Sequence, residues 1–244
     1  MCYSDDARPP YPPVVGGAAA DHGEMTLRSA DGTEFAAYFA RASKPSGAGI
    51  VICPDVRGLH HFYKELAQRF AEAGIDAVAF DYFGRTDPKG SRDEDFEWRE
   101  HIAQTKPETV NADVTAAMDY LRSAEGGAVK SVFTVGFCFG GDTSWRQSAN
   151  GSDGSIGFYG VPARLKSAVP DLKALKAPLL MLVAGADFTP LEEFQKFDGE
   201  LAAAGVEHTM VVYDNAPHSF FDRGFEEWKE ACDDAWRQML QFMK

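Results

Sequence analysis

The sequence predicts an α/β fold in which helices cover both faces of a mostly parallel central sheet. Short apolar runs, each long enough for one buried strand, alternate along the chain with amphipathic helical patterns. The run at residues 132–137 leads directly into glycines that flank Cys138, as in a strand followed by a sharp turn and a helix. Polar residues also follow several other apolar runs. These observations predict one domain organised around the end of the strand before Cys138.

The N-terminal part of the chain divides into an arm and a hairpin. Residues 1–23 are rich in proline, alanine and glycine, and we expect an irregular arm there. Alternating apolar residues from Glu24 to Ala40, with an Asp-Gly turn between them, predict a β-hairpin. Residues 50–53 form a wholly apolar run, of the kind that parallel sheets bury on both faces. No linker or repeat interrupts residues 24–244, which we expect to form a single domain.

The rest of the chain alternates between predicted helices and strands. Helices are predicted where apolar residues recur every three or four positions, and strands where short aliphatic or aromatic runs occur. The predicted helices cover residues 63–73, 109–123, 139–148, 191–204 and 225–243, and the predicted strands cover residues 77–80, 132–137, 155–160, 178–185 and 209–213. Residues 86–108 are polar and weakly periodic, so we expect an excursion over the sheet or a small lid.

Composition and charge argue against several classes of protein. The 244 residues include 24 Lys and Arg and 37 Asp and Glu, which gives a formal net charge of −13. Phosphate backbones and anionic lipids repel such a chain, so we expect neither nucleic acid nor membrane as a partner. The four cysteines lack metal-type or disulfide-type spacing, and the acidic N-terminus lacks a signal pattern; both features predict a cytoplasmic protein. No metal is expected, and His60 and His61 are interpreted as solvated loop residues.

Three residues with the chemistry of a catalytic triad follow predicted strands. Cys138, Asp187 and His218 each come after one of the apolar runs. The carboxyl ends of parallel strands meet at one edge of a sheet, so these side chains are expected to lie close together. Their order in the chain, nucleophile, acid and histidine, is that of the α/β-hydrolase fold. The sequence therefore predicts a Cys-His-Asp triad.

Each member of this triad has a chemical reason to be there. A thiol attacks well only as a thiolate, which a neighbouring imidazole and a helix N-terminus stabilise. Asp187 is expected to orient His218 and to stabilise its protonated form. The backbone N–H groups of Phe139 and Val56 are the expected oxyanion donors. The alternative interpretations are a packed thiol for Cys138, a helix cap for Asp187 and an ordinary loop residue for His218.

These motifs resemble those of the dienelactone hydrolase family. The resemblance extends over residues 24–244 and rests on Asp187 and on the motifs at residues 80–85, 136–141 and 216–220. It implies an α/β-hydrolase without a cofactor that opens lactones or small carboxylic esters through an acyl-cysteine. We therefore expect a small-molecule ester or lactone, neutral or anionic, as the partner, and a monomer or small homo-oligomer.

The expected substrate-binding positions depart from the pattern that the family implies. Arg85 matches an arginine that binds a substrate carboxylate in the type enzyme, but an ordinary surface ion pair is an equal alternative. Asp55 replaces a glutamate that modulates the thiol, and a structural hydrogen bond to the loop backbone is equally open. Arg57 is expected to add positive charge from the oxyanion loop, whereas Asp222 replaces a second arginine. A competing hypothesis is therefore a catalytically weakened hydrolase-fold protein that binds a small acidic ligand.

Overall fold

The computed structural model describes residues 3–13, 16–93 and 95–244, and in these residues eight strands form one sheet. The strands are β1 (Ala19–Arg28), β2 (Glu34–Ala42), β3 (Ala48–Cys53), β4 (Asp76–Phe80), β5 (Ser131–Phe137), β6 (Gly154–Phe158), β7 (Leu179–Ala186) and β8 (His208–Pro217). Their order across the sheet is β1-β2-β4-β3-β5-β6-β7-β8. The pairs β1–β2 and β2–β4 are antiparallel, and the five remaining pairs are parallel. The mostly parallel sheet with an N-terminal hairpin is confirmed.

Helices alternate with the strands, as the sequence predicts. They are α1 (His61–Glu72), α2 (Trp98–Ile102), α3 (Pro107–Arg122), α4 (Phe139–Arg146), α5 (Pro162–Ala168), α6 (Leu191–Ala204) and α7 (Lys229–Phe242). The bounds of α6 match the prediction, whereas the short α5 is not predicted. β1 begins at Ala19, so part of the segment expected to be an irregular arm is strand. Residues 1, 2, 14 and 15 of the expected arm and residue 94 of the expected excursion lie outside the described residues.

The helices cover both faces of the sheet because successive strand side chains point in opposite directions. In β3, Ile50 and Ile52 pack in a cluster with α1 and α7. Val51 lies between them in the chain and packs on the opposite face, in a cluster with α3. A third cluster joins β7 to α6 through Trp145 of α4. This two-sided burial explains why the central strands are apolar at consecutive positions.

The segment after β4 is anchored to the sheet by a buried ion pair. The guanidinium of Arg92 donates to the carboxylate of Asp81 at 2.6 Å, and both side chains are buried. Further along, the ring of Phe96 packs on that of Phe83 with centroids 5.1 Å apart, and α2 follows. The lid function of residues 86–108 remains a prediction. None of the helices in the described ranges is long and apolar enough to span a bilayer.

Candidate active site

Cys138 occupies a sharp turn between β5 and α4. Its backbone angles are φ 57° and ψ −114°, and its side chain is half-buried. Its N–H donates to the carbonyl of Phe158, at the end of the neighbouring strand, at 3.0 Å. A non-glycine residue in this conformation costs about 1–3 kcal/mol, and such strain is concentrated at functional sites. The turn holds the thiol above the carboxyl edge of the sheet, at the N-terminus of α4.

The glycines around Cys138 are required because backbone approaches this turn from three sides. A Cβ at Gly136 would lie 1.7 Å from the carbonyl oxygen of Gly140, within the turn itself. At Gly140 it would lie 2.0 Å from the carbonyl oxygen of Cys53, at the end of β3. At Gly141 it would lie 2.5 Å from the carbonyl oxygen of Phe158. Real Cβ atoms do not come this close, so these positions admit only glycine.

The register of β7 and β8 brings Asp187 and His218 together. Ala184 pairs with Tyr213 and Ala186 with Pro217, so β8 contains two extra residues at an irregularity between these pairs. The residues that follow the last pair, Asp187 and His218, therefore lie side by side. The Nδ1–H of His218 donates to Oδ1 of Asp187 at 2.8 Å. The Phe188 N–H donates to the same oxygen at 2.5 Å. The Asp187 side chain is 2% exposed, so its carboxylate is held in a fixed orientation toward the imidazole.

His218 interacts with Cys138 as well as with Asp187, and both interactions raise the pKa of its imidazole. Burial alone lowers the pKa of the imidazole, but hydrogen bonds to the Asp187 and Cys138 side chains raise it, and the net result is a pKa of about 9. The charge of a Cys138 thiolate acts in the same direction. An imidazole linked to both a carboxylate and a thiol can remain protonated at neutral pH and stabilise a thiolate. The sequence-predicted Cys138, His218 and Asp187 are thus brought together.

Two aromatic residues that sequence reasoning missed enclose the imidazole of His218. The ring of Tyr159, just after β6, lies 4.8 Å from it, and the ring of Phe188 lies 5.1 Å from it. Tyr159 is buried and its hydroxyl accepts the Phe221 N–H at 2.9 Å, whereas Phe188 is 87% exposed. Tyr159 has a positive φ of 54°. Applying the strand-end criterion to β6 would have found it.

The two expected oxyanion donors lie on adjoining segments. Phe139 is the first residue of α4, so its N–H has no acceptor within the helix. Val56 belongs to the loop after β3, and this loop begins where Gly140 packs against the backbone of Cys53 and Pro54. The loop is also fixed from the side of α1, because the Asp55 N–H donates to the Tyr63 hydroxyl at 2.9 Å.

Asp55 and Arg57 are both fully buried and belong to one network of charges. Oδ1 of Asp55 accepts the Arg57 N–H at 2.9 Å, which matches the structural alternative for this residue. Nη1 of Arg57 donates to Asp5 of the N-terminal arm at 2.8 Å, and Nε2 of His60 lies 3.1 Å from the same carboxylate oxygen. Arg57 therefore directs a hydrogen bond toward the arm. His60 is buried as well, unlike the solvated residue that the sequence suggests.

The side chains at the remaining expected substrate-binding positions form ion pairs or hydrogen bonds with other residues of the chain. Arg85 forms ion pairs with Asp113 at 2.6 Å and with Asp31 at 2.9 Å, which matches the salt-bridging alternative. Asp222, at the position where the resemblance implies a second arginine, accepts the Gly224 N–H at 2.8 Å in a local turn. The pair of arginines that would bind a substrate carboxylate is therefore not assembled at these positions.

Comparison with known structures identifies the class of protein. The crystal structure of a "putative dienelactone hydrolase" from Klebsiella pneumoniae superposes with a TM-score of 0.78 at 27% identity, covering 91% of this chain and 98% of that one. An esterase of Pyrococcus furiosus shares the fold at 15% identity, with a TM-score of 0.66 over 98% of this chain and 100% of that one. The molecule has an α/β-hydrolase fold.

Comparison of sequences then identifies the family. The family model described as "Dienelactone hydrolase family" matches residues 35–244. The carboxymethylenebutenolidase of Rhodococcus opacus is 28% identical over 271 aligned positions, covering 100% of this chain and 96% of that protein. The chain belongs to the dienelactone hydrolase family, which is a family of hydrolases, and the resemblance seen in the motifs is confirmed.

Proposed function

We propose that the protein is a cysteine hydrolase that cleaves a lactone or small carboxylic ester through an acyl-cysteine intermediate. The observation that carries the proposal is the position of His218, which interacts with Asp187 on one side and with Cys138 on the other. Cys138 is the proposed nucleophile, His218 the proton-transfer group and Asp187 the residue that orients it. All of the proposed steps use groups of the chain itself.

In the first half of the proposed reaction, the Cys138 thiolate attacks the carbonyl carbon of the ester or lactone and forms a tetrahedral intermediate that carries an oxyanion. The N–H groups of Phe139 and Val56 donate to that oxyanion. When the tetrahedral intermediate collapses, the C–O bond to the leaving group breaks and the imidazolium of His218 gives its proton to the leaving oxygen. A lactone ring opens at this step, and its alcohol end stays attached to the acyl group.

The second half requires His218 to act as a base, and the raised pKa of about 9 is compatible with this change of role. Part of the increase comes from the hydrogen bond with Cys138 and from the thiolate charge. Acylation of Cys138 removes both effects, so the pKa of His218 falls in the acyl-enzyme. The neutral imidazole then takes a proton from water, hydroxide adds to the thioester carbonyl, and the acid is released as the thiolate re-forms.

The charges around the site favour a neutral substrate. Arg85 is neutralised by Asp113 and Asp31, and Arg57 donates to Asp5. The exposed ring of Phe188 beside His218 offers an apolar contact. We therefore propose an uncharged lactone or short-chain ester as the substrate class. A cytoplasmic location is part of the proposal, supported by the free thiols of the described cysteines Cys53, Cys138 and Cys232.

The proposal is tested by comparing the wild type with Cys138→Ala on a panel of neutral lactones and short aryl esters. We expect turnover by the wild type and a loss of at least roughly a thousandfold in the variant, as for other removed nucleophiles. Cys53→Ala is the matched control, because that thiol is fully buried in β3. Equal rates for wild type and Cys138→Ala would refute the mechanism. Binding without turnover or acylation would instead support the competing ligand-binding hypothesis.

A further inference from the structure

We propose that a cavity between α3, α4 and α5 is a binding site for a small organic monocarboxylate with an apolar body. The cavity has a volume of about 290 Å³, just below the range of about 300–1,000 Å³ of small-molecule sites, so the ligand would be small. Three cationic residues, Lys106, Arg146 and Arg164, line it. Phe139, whose N–H is a proposed oxyanion donor, also lines the cavity, so the site adjoins the proposed active site, but its lining does not include Cys138, Asp187 or His218.

Arg146 has a hydrogen-bond donor that the described residues leave without an acceptor. The residue is 7% exposed, and its Nε donates to Oδ1 of Asn111 at 2.7 Å. The same oxygen also accepts a hydrogen bond from Gln147 at 3.0 Å. Nη2 of Arg146 is buried and has no hydrogen-bond partner among the residues that the structure describes. An anion in the cavity would provide an acceptor for this guanidinium, and buried polar groups normally have one.

The net charge of the side chains around the cavity determines the charge of the ligand that it would bind. Arg164 is paired with the buried carboxylate of Asp142, with Nη2 2.7 Å and Nε 2.9 Å from Oδ1. Glu108, near the N-terminus of α3, also interacts electrostatically with Arg146. Three cations opposed by these two carboxylates leave one positive charge. A carboxylate balances that charge, whereas a phosphate monoester carries about −1.5 to −2 at neutral pH.

The apolar residues that line the rest of the cavity favour a ligand with an apolar body. Ile102, Pro107, Val110, Phe139 and Ala168 contribute apolar surface. The first turn of α3 also borders the cavity and places the positive end of a 16-residue helix beside it. A ligand with a carboxylate at one end and an aromatic or aliphatic body matches this combination of cationic and apolar lining.

The experiment is calorimetric titration of the full chain with benzoate, and with benzamide as its uncharged counterpart. Ser167→Trp places an indole in the cavity from an exposed position of α5, and Ala163→Trp is the matched control, exposed on the same helix but outside the lining. We expect saturable binding of benzoate that Ser167→Trp abolishes and Ala163→Trp preserves. Lys106→Gln should weaken binding roughly tenfold, as expected for one charge-assisted contact.

Further outcomes separate this site from the proposed active site. Cys138→Ala should bind benzoate as the wild type does, whatever the result of the turnover assay. Loss of binding in Cys138→Ala would place benzoate at the active site and overturn the inference. The inference would also fail if benzoate did not bind, if benzamide bound equally well, if Ser167→Trp had no effect, or if phenyl phosphate bound more tightly than benzoate.

Discussion

At the scale of single residues, backbone strain is concentrated at the carboxyl edge of the sheet. Four of the five described non-glycine residues with positive φ lie at this edge: Cys138, Tyr159 and Ser219 just beyond the ends of β5, β6 and β8, and Asn215 near the end of β8. Each such conformation costs about 1–3 kcal/mol and persists only when its surroundings impose it. The strained positions therefore coincide with the turn at Cys138, with the Tyr159 ring beside His218 and with the loop that carries His218.

The raised pKa of His218 predicts how the reactivity of Cys138 depends on pH. In the proposed mechanism the imidazole, whose pKa is raised to about 9, carries its proton at neutral pH and stabilises the Cys138 thiolate. The rate of Cys138 alkylation by iodoacetamide, followed by peptide mass spectrometry, should therefore change little between pH 6 and pH 8. In His218→Gln it should fall roughly tenfold per pH unit below the ordinary thiol pKa of about 8.5. A tenfold change per unit in the wild type would contradict the account.

Tyr159 is predicted to position His218 rather than to react. Tyr159→Phe removes the hydroxyl that accepts the Phe221 N–H, leaving a buried donor without its partner at a cost of about 1–3 kcal/mol. We expect a several-fold lower kcat with little change in KM, because the loop that carries His218 is no longer fixed. Tyr213→Phe is the control, since that hydroxyl donates to Asp234 at 3.1 Å from β8 itself. Equal kcat losses in both variants would argue against a positioning role.

At the scale of elements, the glycines around Cys138 make the sharp turn between β5 and α4 possible. A substitution at Gly140 tests this requirement. In Gly140→Ala the new methyl would lie 2.0 Å from the carbonyl oxygen of Cys53, at the end of β3, and 2.3 Å from that of Pro54. Backbone cannot give way as a flexible side chain can, so we expect a large loss of stability and of soluble protein. Gly199→Ala, at an exposed position of α6 with open space around it, should instead stabilise the fold by about 0.5–1 kcal/mol. Similar urea midpoints for the two variants would contradict this.

Much of the element order follows from local sequence, whereas some ends and one short helix do not. The bounds of α6 are predictable because Pro190 precedes its apolar stripe and Gly205 ends it with φ 73°. α5 has only seven residues, too few for a clear periodic pattern. β8 extends to Pro217 because it pairs with β7 again beyond the irregularity. The sequence of β8 alone does not indicate that pairing, so it does not predict where the strand ends.

At the scale of the whole molecule, the N-terminal arm is part of the site architecture. Asp5 pairs with Arg57, 52 residues away, and Tyr3 stacks on Phe62 with ring centroids 4.0 Å apart. Tyr3 also contacts the ring of Phe137, the residue before Cys138. A proline-rich segment with no periodicity predicts none of these contacts. The proximity of Cys138, Asp187 and His218 could be predicted because strand ends follow a topological rule, but side-chain pairing across distant segments follows no local pattern.

Removing the charge of Asp5 should therefore destabilise the loop that carries Val56 and Arg57. Asp5→Asn leaves the fully buried Arg57 without this counter-ion, and we expect a loss of about 3 kcal/mol in the free energy of unfolding. Activity should fall in parallel, because Arg57 follows Val56, one of the two proposed oxyanion donors. Asp6→Asn is the matched control, since that carboxylate is exposed and accepts a hydrogen bond from the nearby Ser4 hydroxyl at 2.6 Å. Urea denaturation measures the free energy of unfolding of both variants, and equal values would rule out a structural role for the arm.

The central claim is that Cys138 carries the acyl group during turnover. The most direct measurement is rapid acid quench of the enzyme with p-nitrophenyl acetate, followed by intact-mass and peptide mass spectrometry. We predict one acetyl group, located on the Cys138 peptide of the wild type, that decays as acetate appears and is absent in Cys138→Ala. Turnover of the ester without any acyl group on Cys138, or acylation at another residue at the rate of turnover, would contradict the account.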